Sequence, residues 1–171
     1  MIKTYTTTEM LQKVIEYLNK RGWSYGNQKE DGSISISLSH NNGTYHCMIY
    51  AKPETNIFAF VSYLGTRCPF DKREGILKLI NEVNNTLLYG NFEINSAGDV
   101  KHRTSFYLEN IEITDDIIEG VILRNIYNID VVNPIFSKII FGDMKNDEAY
   151  DSLFPDVKED VKELKDDTSS E

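Results

Sequence analysis

His40, His46 and His102 are the only imidazoles in the chain, and a metal site would need several such ligands together. His40 precedes an Asn-Gly turn, His46 lies on a predicted strand, and His102 lies on a separate predicted hairpin. None has a second ligand at i, i+4 spacing, and none has a local cysteine or carboxylate partner of the metal-binding kind. We therefore expect no metal and no cofactor, and we expect exposed or half-buried histidines.

A nucleophile site would need a serine or cysteine beside a base and a group that orients the base. Cys47 alternates with Tyr45 and Ile49, which predicts a small core residue. Cys68 lies in a predicted loop beside Arg67, where an exposed, reactive thiolate is the alternative. The alternating serines of SISISLS are expected to face solvent. We expect reduced cysteines, no catalytic residue and no enzymatic activity.

The elements that must position these residues begin with a helix over residues 6–21. Thr6 and Glu9 have the spacing of a capping box. A second helix is predicted to begin at Asp71, with Glu74 three residues on as its capping partner, and to end near residue 88 or 89. Gly90 then supplies a left-handed exit that a residue with a Cβ resists.

Five or six strands and two further helices complete the predicted order. Asp-Gly and Asn-Gly turns, Pro53 and the SAGD turn separate the strands. Thr114 is expected to cap a third helix. Asn133-Pro134 is typical of a cap and a first-turn proline, so a fourth, short helix is predicted up to Phe141. The fold class is therefore α+β, an antiparallel sheet with flanking helices in the order helix, three or four strands, helix, two strands, two helices.

The strand over residues 57–63 is apolar on both faces, which is unusual for a sheet with one solvated face. Its neighbour also offers large side chains opposite Cys47 and Ile49. We predict that four residues from these strands contact another chain: Met48, Tyr50, Phe58 and Phe60. The alternative is that the later helices cover this face within the same chain, through Ile118, Ile126 or Phe136.

Charge divides the chain into two parts. Residues 143–171 hold 11 acidic residues and 4 lysines, so the first 142 residues carry only about two of the nine net negative charges. We predict one domain over residues 1–142 and an acidic, mobile tail over residues 143–171. An acidic chain repels phosphates, so no nucleic acid is expected as a partner. No apolar run suits a membrane span or a signal peptide, so a cytoplasmic protein is expected.

The order of elements resembles the type III secretion chaperone-like fold. The stretches PFDKREGILKLINEVNNTLLYGNFEINSAGDVKHRTSF and ITDDIIEGVILRNIYNIDVVNPIFSKIIFG resemble the YbjN family, bacterial proteins described as sensory transduction regulators. The resemblance spans roughly residues 8–142 and brings no catalytic motif. It implies a protein-binding module, chaperone-like or regulatory, with a protein partner and a homodimeric assembly. The alternative is a small-molecule sensor with a pocket between the sheet and the helices.

Overall fold

A computed structural model describes residues 5–108, 110–142 and 144–153. Within these ranges five antiparallel strands form one sheet in the order β1-β2-β3-β5-β4. This arrangement confirms the predicted α+β class. The elements follow the chain as α1 (Thr7–Lys20), β1 (Ile34–His40), β2 (Gly43–Lys52), β3 (Ile57–Arg67), α2 (Arg73–Thr86), β4 (Asn91–Ile94), β5 (Asp99–Tyr107), α3 (Asp115–Phe141) and α4 (Asn146–Leu153).

One face of the sheet, the inner face, carries the hydrophobic core beneath α3. The strand register places Cys47 opposite Ser62, Ser62 opposite His102, and His102 opposite Phe92. Side chains alternate across a strand, so Phe58 and Phe60 share this face with Ser62. Buried residues of α1, α2 and α3 belong to the same core cluster.

The first helix begins at a side-chain cap, whereas the second does not. In α1 the predicted capping box is confirmed, since the Thr6 amide donates to Glu9 Oε2 at 2.8 Å and the Glu9 amide donates to Thr6 Oγ1 at 3.2 Å. The predicted cap at Asp71 is wrong. A 3-10 turn over Phe70–Lys72 precedes α2, and the helix begins at Arg73 without a side-chain cap.

Helix α2 ends at Thr86, earlier than predicted, where Asn84 attaches the chain to β4. The Phe92 amide donates to Asn84 Oδ1 at 2.7 Å, and Asn84 Nδ2 donates to the Phe92 carbonyl at 3.1 Å. Gly90 adopts φ +75°, in agreement with the prediction of a left-handed residue. An added Cβ would lie only 2.5 Å from the carbonyl oxygen of Arg103, so only glycine fits here.

The two predicted C-terminal helices form one helix, because α3 continues through Pro134 to Phe141. A proline has no N–H, so the carbonyl of Asp130, four residues earlier, loses its helical partner. Asn42 replaces that partner, since its Nδ2 donates to the Asp130 carbonyl at 2.9 Å. The sequence pattern shows the proline but not this distant donor.

The packed part of the chain extends past the predicted boundary at residue 142. Helix α4 follows, and its Ala149 is fully buried in the core cluster. Met144 and Leu153 pack against the same cluster. The first part of the predicted tail is therefore part of the domain, and residues 154–171 lie outside the described residues. Of the helices described, none has the length and apolar character needed to cross a membrane.

Candidate functional site: the open face of the sheet

The sheet face opposite α3, called the open face below, presents side chains from β2, β3 and β5. Met48 lies opposite Val61, and Tyr50 lies opposite Ala59. On the other side of β3, Val61 lies opposite Arg103. Residues two apart share a face, so the register assigns this whole set to one surface.

An apolar floor lies at the centre of the open face. Met48, Ala59 and Val61 are only 5%, 8% and 4% exposed, yet they do not belong to the core cluster beneath α3. A sheet face in contact with water alone is normally polar. These three residues are instead shielded by the longer side chains that stand around them.

Those longer side chains enclose a groove of about 330 Å³ above the floor. This volume lies at the lower end of the range for ligand sites in proteins. Tyrosines, lysines and an arginine form its walls, which makes it amphipathic. The lining residues are Tyr50, Lys52, Ile57, Ala59, Val61, Tyr63, Lys101, Arg103 and Ser105.

The groove is positively charged although the whole chain carries a net charge of −9. Lys101 Nζ and Arg103 Nη2 lie 3.0 and 2.8 Å from the same oxygen of Glu93, at the β4 side of the face. Burial alone would raise the pKa of Glu93, but hydrogen bonds from Lys101 and Asn91 and the two positive charges outweigh it and lower this pKa. Lys29 and Lys52 lie at the β2 side, where Asp31 is the nearby carboxylate, so four bases border the groove against two carboxylates.

Further groups border the floor. Lys29 Nζ lies 3.8 Å from Met48 Sδ. The rings of His46 and Tyr63 lie 6.3 Å apart. Burial, followed by the influence of Tyr63, raises the pKa of Tyr50, so its hydroxyl remains a neutral hydrogen-bonding group. The open face can therefore hold apolar side chains at its centre and accept carboxylates at its border.

The structure separates the four residues predicted to contact another chain. Met48 and Tyr50 lie on the open face, as the pattern indicated. Phe58 and Phe60 do not share that face, because they lie on the inner face, 1% and 0% exposed. There α3 covers them, as the alternative prediction held, and Asn125 Nδ2 donates to the Phe60 carbonyl at 3.1 Å.

The three histidines lie in separate places. His40 bonds to α3 at the β1–β2 turn, His46 is on the open face, and His102 is buried on the inner face. The expectation of exposed or half-buried histidines is therefore wrong for His102. Within residues 5–108, 110–142 and 144–153, no group of three or more His, Cys, Asp or Glu side chains could hold a metal ion.

A buried carboxylate on α3, which the sequence prediction missed, accepts several hydrogen bonds from the β1–β2 hairpin. Asp130 accepts from His40 Nδ1 at 2.7 Å, from the Asn42 amide at 2.8 Å and from the Tyr45 hydroxyl at 2.8 Å. Burial would raise the pKa of Asp130, but these hydrogen bonds outweigh it and lower this pKa. Its position four residues before Pro134 is the one sequence signal that could have indicated it.

A second polar group lies in the core, between α3 and the sheet. Asn125 Nδ2 donates to the carbonyl of His102 and to Thr104 Oγ1, both at 3.1 Å, and Ser62 donates its hydroxyl to Asn125 Oδ1. Burial lowers the pKa of His102 to about 4, so this ring is neutral at pH 7. These contacts join α3 to two strands and serve the fold.

Both cysteines are buried free thiols. Burial raises the pKa of Cys47 to about 12 and also raises the pKa of Cys68. The alternative of an exposed, reactive Cys68 is therefore wrong, since its side chain is 1% exposed. The nearby positive charge of Arg73 opposes the rise for Cys68 but is the smaller influence.

Comparison with known proteins identifies a family. A model of the YbjN family, described as "Putative bacterial sensory transduction regulator", matches residues 11–122. No curated protein sequence matches the chain significantly.

Two crystal structures share the fold. A chain of the ExsC-ExsE complex has a TM-score of 0.59 at 13% identity, covering 75% of this chain and 93% of that chain. YbjN from E. coli, described as "a putative transcription regulator", has a TM-score of 0.54 at 11% identity, covering 70% of this chain and 85% of that chain. The predicted type III secretion chaperone-like fold is confirmed.

Proposed function

The chain belongs to the YbjN family, and we propose that it is a non-enzymatic protein-binding module, chaperone-like or regulatory, that holds a partner on the open face. The observation that carries this proposal is the apolar floor of Met48, Ala59 and Val61, which is shielded from water without belonging to the core. The structural likeness to a chain from a two-protein complex supports the same function.

The chemistry of the open face indicates the kind of partner segment. Apolar side chains of the partner replace water above the floor, and its carboxylates lie against Lys52, Lys101 and Arg103. Tyrosine and arginine are among the residues enriched where proteins bind each other. We therefore propose an acidic, partly apolar segment of another protein as the partner.

Two other functions have less support. A small-molecule sensor with a pocket between sheet and helices has little space, because Phe58, Phe60, Phe92 and Phe136 fill the core. A cavity between β5 and α3 is only about 190 Å³, below the usual range for ligand sites. An enzyme would need a nucleophile hydrogen-bonded to a base, and among the described residues the hydroxyl of Ser105 in the groove makes no such hydrogen bond.

We also propose that the protein forms a homodimer. Several large apolar side chains outside the open face remain exposed in the single chain, including Leu88 at 92% and Phe141 at 71%. Contiguous exposed apolar surface is typical of sites where proteins associate.

Site-specific photocrosslinking tests the open face. A photoreactive amino acid at Ser105, which lines the groove, should form adducts with one or a few discrete proteins in bacterial cells. The same amino acid at Leu77, which is 52% exposed on α2, is the matched control and should not form those adducts. Reversing charge with Lys101→Glu and Arg103→Glu should abolish the Ser105 adducts.

The charge reversal needs its own control, Lys78→Glu, which changes an exposed lysine on α2 and should leave the adducts unchanged. Because Lys101 and Glu93 are half-buried, charge reversal there can also cost stability, so the melting temperature of every variant is measured and adducts are compared well below it. Equal adducts at Ser105 and Leu77 would contradict the proposal. Adducts that disappear on nuclease treatment would show a nucleic acid as the partner instead.

A further inference from the structure

The outward side of α3 carries an apolar stripe that no described side chain covers. Leu123, Tyr127 and Val131 are 45%, 61% and 45% exposed. They are spaced by four residues, so they lie in a row along one side of the helix. Leu88 and Tyr89 extend the apolar surface beside them, at 92% and 55% exposed.

Residues on this side of α3 are arranged symmetrically about Tyr127. Leu123 and Val131 lie four residues away on either side, Gly120 and Pro134 seven, and Asp116 and Lys138 eleven. At 3.6 residues per turn all seven point within about 40° of one direction. That direction is opposite to the buried stripe of α3, which includes Ile118, Ile122, Asn125, Ile129 and Phe136.

The ends of the stripe carry opposite charges. Asp116 near the N-terminus and Lys138 near the C-terminus of α3 are both exposed, and neither has an ion-pair partner among the described residues. A Cβ added at Gly120 would have no neighbouring atom within 4 Å, so the surface is open at this position. A second helix could therefore approach closely at this point.

We propose that this stripe is the contact surface between two copies of the chain, with α3 of each copy antiparallel about a two-fold axis at Tyr127. In this arrangement Leu123 of each copy faces Val131 of the other, and Gly120 faces Pro134. Asp116 of each copy lies near Lys138 of the other, and the two helix dipoles are antiparallel. A parallel arrangement would instead place Asp116 against Asp116 and Lys138 against Lys138.

A two-fold axis requires each copy to use the same surface, and the symmetric spacing about Tyr127 meets that requirement. The inference rests on the proposed homodimer, whose interface it identifies, but not on the open face. Because α3 lies between the stripe and the sheet, a dimer built this way leaves both open faces free for partners.

Tyr127→Glu tests the interface by placing two like charges at the axis. Sedimentation equilibrium should show that its dimer dissociation constant is at least about tenfold above that of the unaltered chain, as for central aromatic contacts in other interfaces. Its circular dichroism spectrum should stay the same, because Tyr127 is exposed in the single chain. Leu77→Glu on α2 is the control and should leave the constant unchanged.

Charge reversal tests the antiparallel direction. Asp116→Lys and Lys138→Asp should each weaken the dimer, and the double variant should restore it because the reversed pairs are again opposite in charge. Tyr127→Cys should give a covalent dimer with a short bismaleimide, whereas Leu77→Cys should not. The two native cysteines are buried, so background crosslinking is low.

The outcomes separate the interface from the proposed function. A chain that stays monomeric throughout the micromolar range overturns both the homodimer and this interface. A dimer that tolerates Tyr127→Glu and does not crosslink at that position overturns the interface alone. A dimer that dissociates with Tyr127→Glu while Ser105 photoadducts persist supports the interface and keeps partner binding separate from it.

Discussion

Buried polar residues are the part of this molecule that the sequence discloses least. Asp130 and Asn125 lie within the apolar sequence of α3, and their hydrogen-bond partners come from distant segments of the chain. Each costs free energy unless it is hydrogen-bonded, so each specifies how α3 lies on the sheet. The histidine spacing correctly indicated separate positions, but no local pattern could show that His40 would bond to a carboxylate 90 residues away.

We predict that His102 makes the domain less stable in mild acid. Its pKa is about 4 when folded, against an ordinary value of 6.5, so the unfolded chain takes up the proton first as pH falls. Stability from this group is complete above pH 6.5 and decreases as pH falls towards 4. Between pH 7 and pH 5 the loss is about 2 kcal/mol.

Urea unfolding of the unaltered protein and of His102→Gln at both pH values measures this contribution. The variant should lose less stability between pH 7 and pH 5 than the unaltered protein does. Equal losses would show that other groups account for the whole acid dependence.

We predict that Asn42 stabilises α3 by donating a hydrogen bond to the Asp130 carbonyl, which has no helical donor because residue 134 is a proline. Asn42→Ala removes the donor to this carbonyl and a contact to the Asp130 carboxylate, at a cost of about 1–3 kcal/mol. Asn41→Ala, at the exposed neighbouring position, should cost much less. Chemical denaturation of the two variants compares them directly, and equal costs would rule out the role given to Asn42.

At the scale of the elements, alternation predicted the strands well but could not assign faces between them. Residues 57–63 carry apolar side chains at both odd and even positions, so the pattern does not show which set faces the core. A shift of one residue in strand pairing turns every side chain to the other face. The connection over residues 53–56 determines that Phe58 lies opposite Ala51, on the inner face. The sequence does not show this pairing, which is why the sequence prediction groups Phe58 and Phe60 with Met48 and Tyr50. The joined C-terminal helices have a similar cause, because the donor that permits Pro134 inside α3 comes from the β1–β2 turn.

Phe60→Ala and Tyr50→Ala should distinguish the two faces. Phe60 is fully buried, so its truncation should cost about 3–5 kcal/mol. Tyr50 is half-buried above the open face, so its truncation should cost far less while weakening the adducts at Ser105. Thermal unfolding measures the first effect and photocrosslinking the second. A Tyr50 variant that unfolds as readily as the Phe60 variant would contradict the assignment of faces.

For the whole molecule, charge predicted where the acidic part begins but not where packing ends. Ala149 and Leu153 lie among acidic residues and belong to a short helix that contacts α2 and α3. A small residue such as alanine gives little signal in a hydrophobic pattern, although it can be fully buried where two helices pack closely. The acidic composition therefore begins one helix earlier than the packed domain ends, because α4 is acidic and yet packs on the core.

Truncation should reveal that difference. A chain ending at Gly142 loses α4 and exposes the apolar surface of α3 that α4 covers, so its melting temperature should fall clearly below that of a chain ending at Leu153. For a domain of this size about 1 kcal/mol shifts the melting temperature by roughly 2–4 °C. Differential scanning calorimetry of both truncations provides the comparison. Equal melting temperatures would restore the predicted boundary at residue 142.

The pair of hydrogen bonds between Asn84 and Phe92 has a consequence for how chains of this kind avoid aggregation. Phe92 is on β4, the last strand of the sheet, where unpaired amides and carbonyls could recruit a strand from a neighbour. Asn84 occupies both of these groups on Phe92, and β4 is only four residues long. The β4 edge is therefore a poor template for strand addition, so a partner is not expected to lengthen the sheet there.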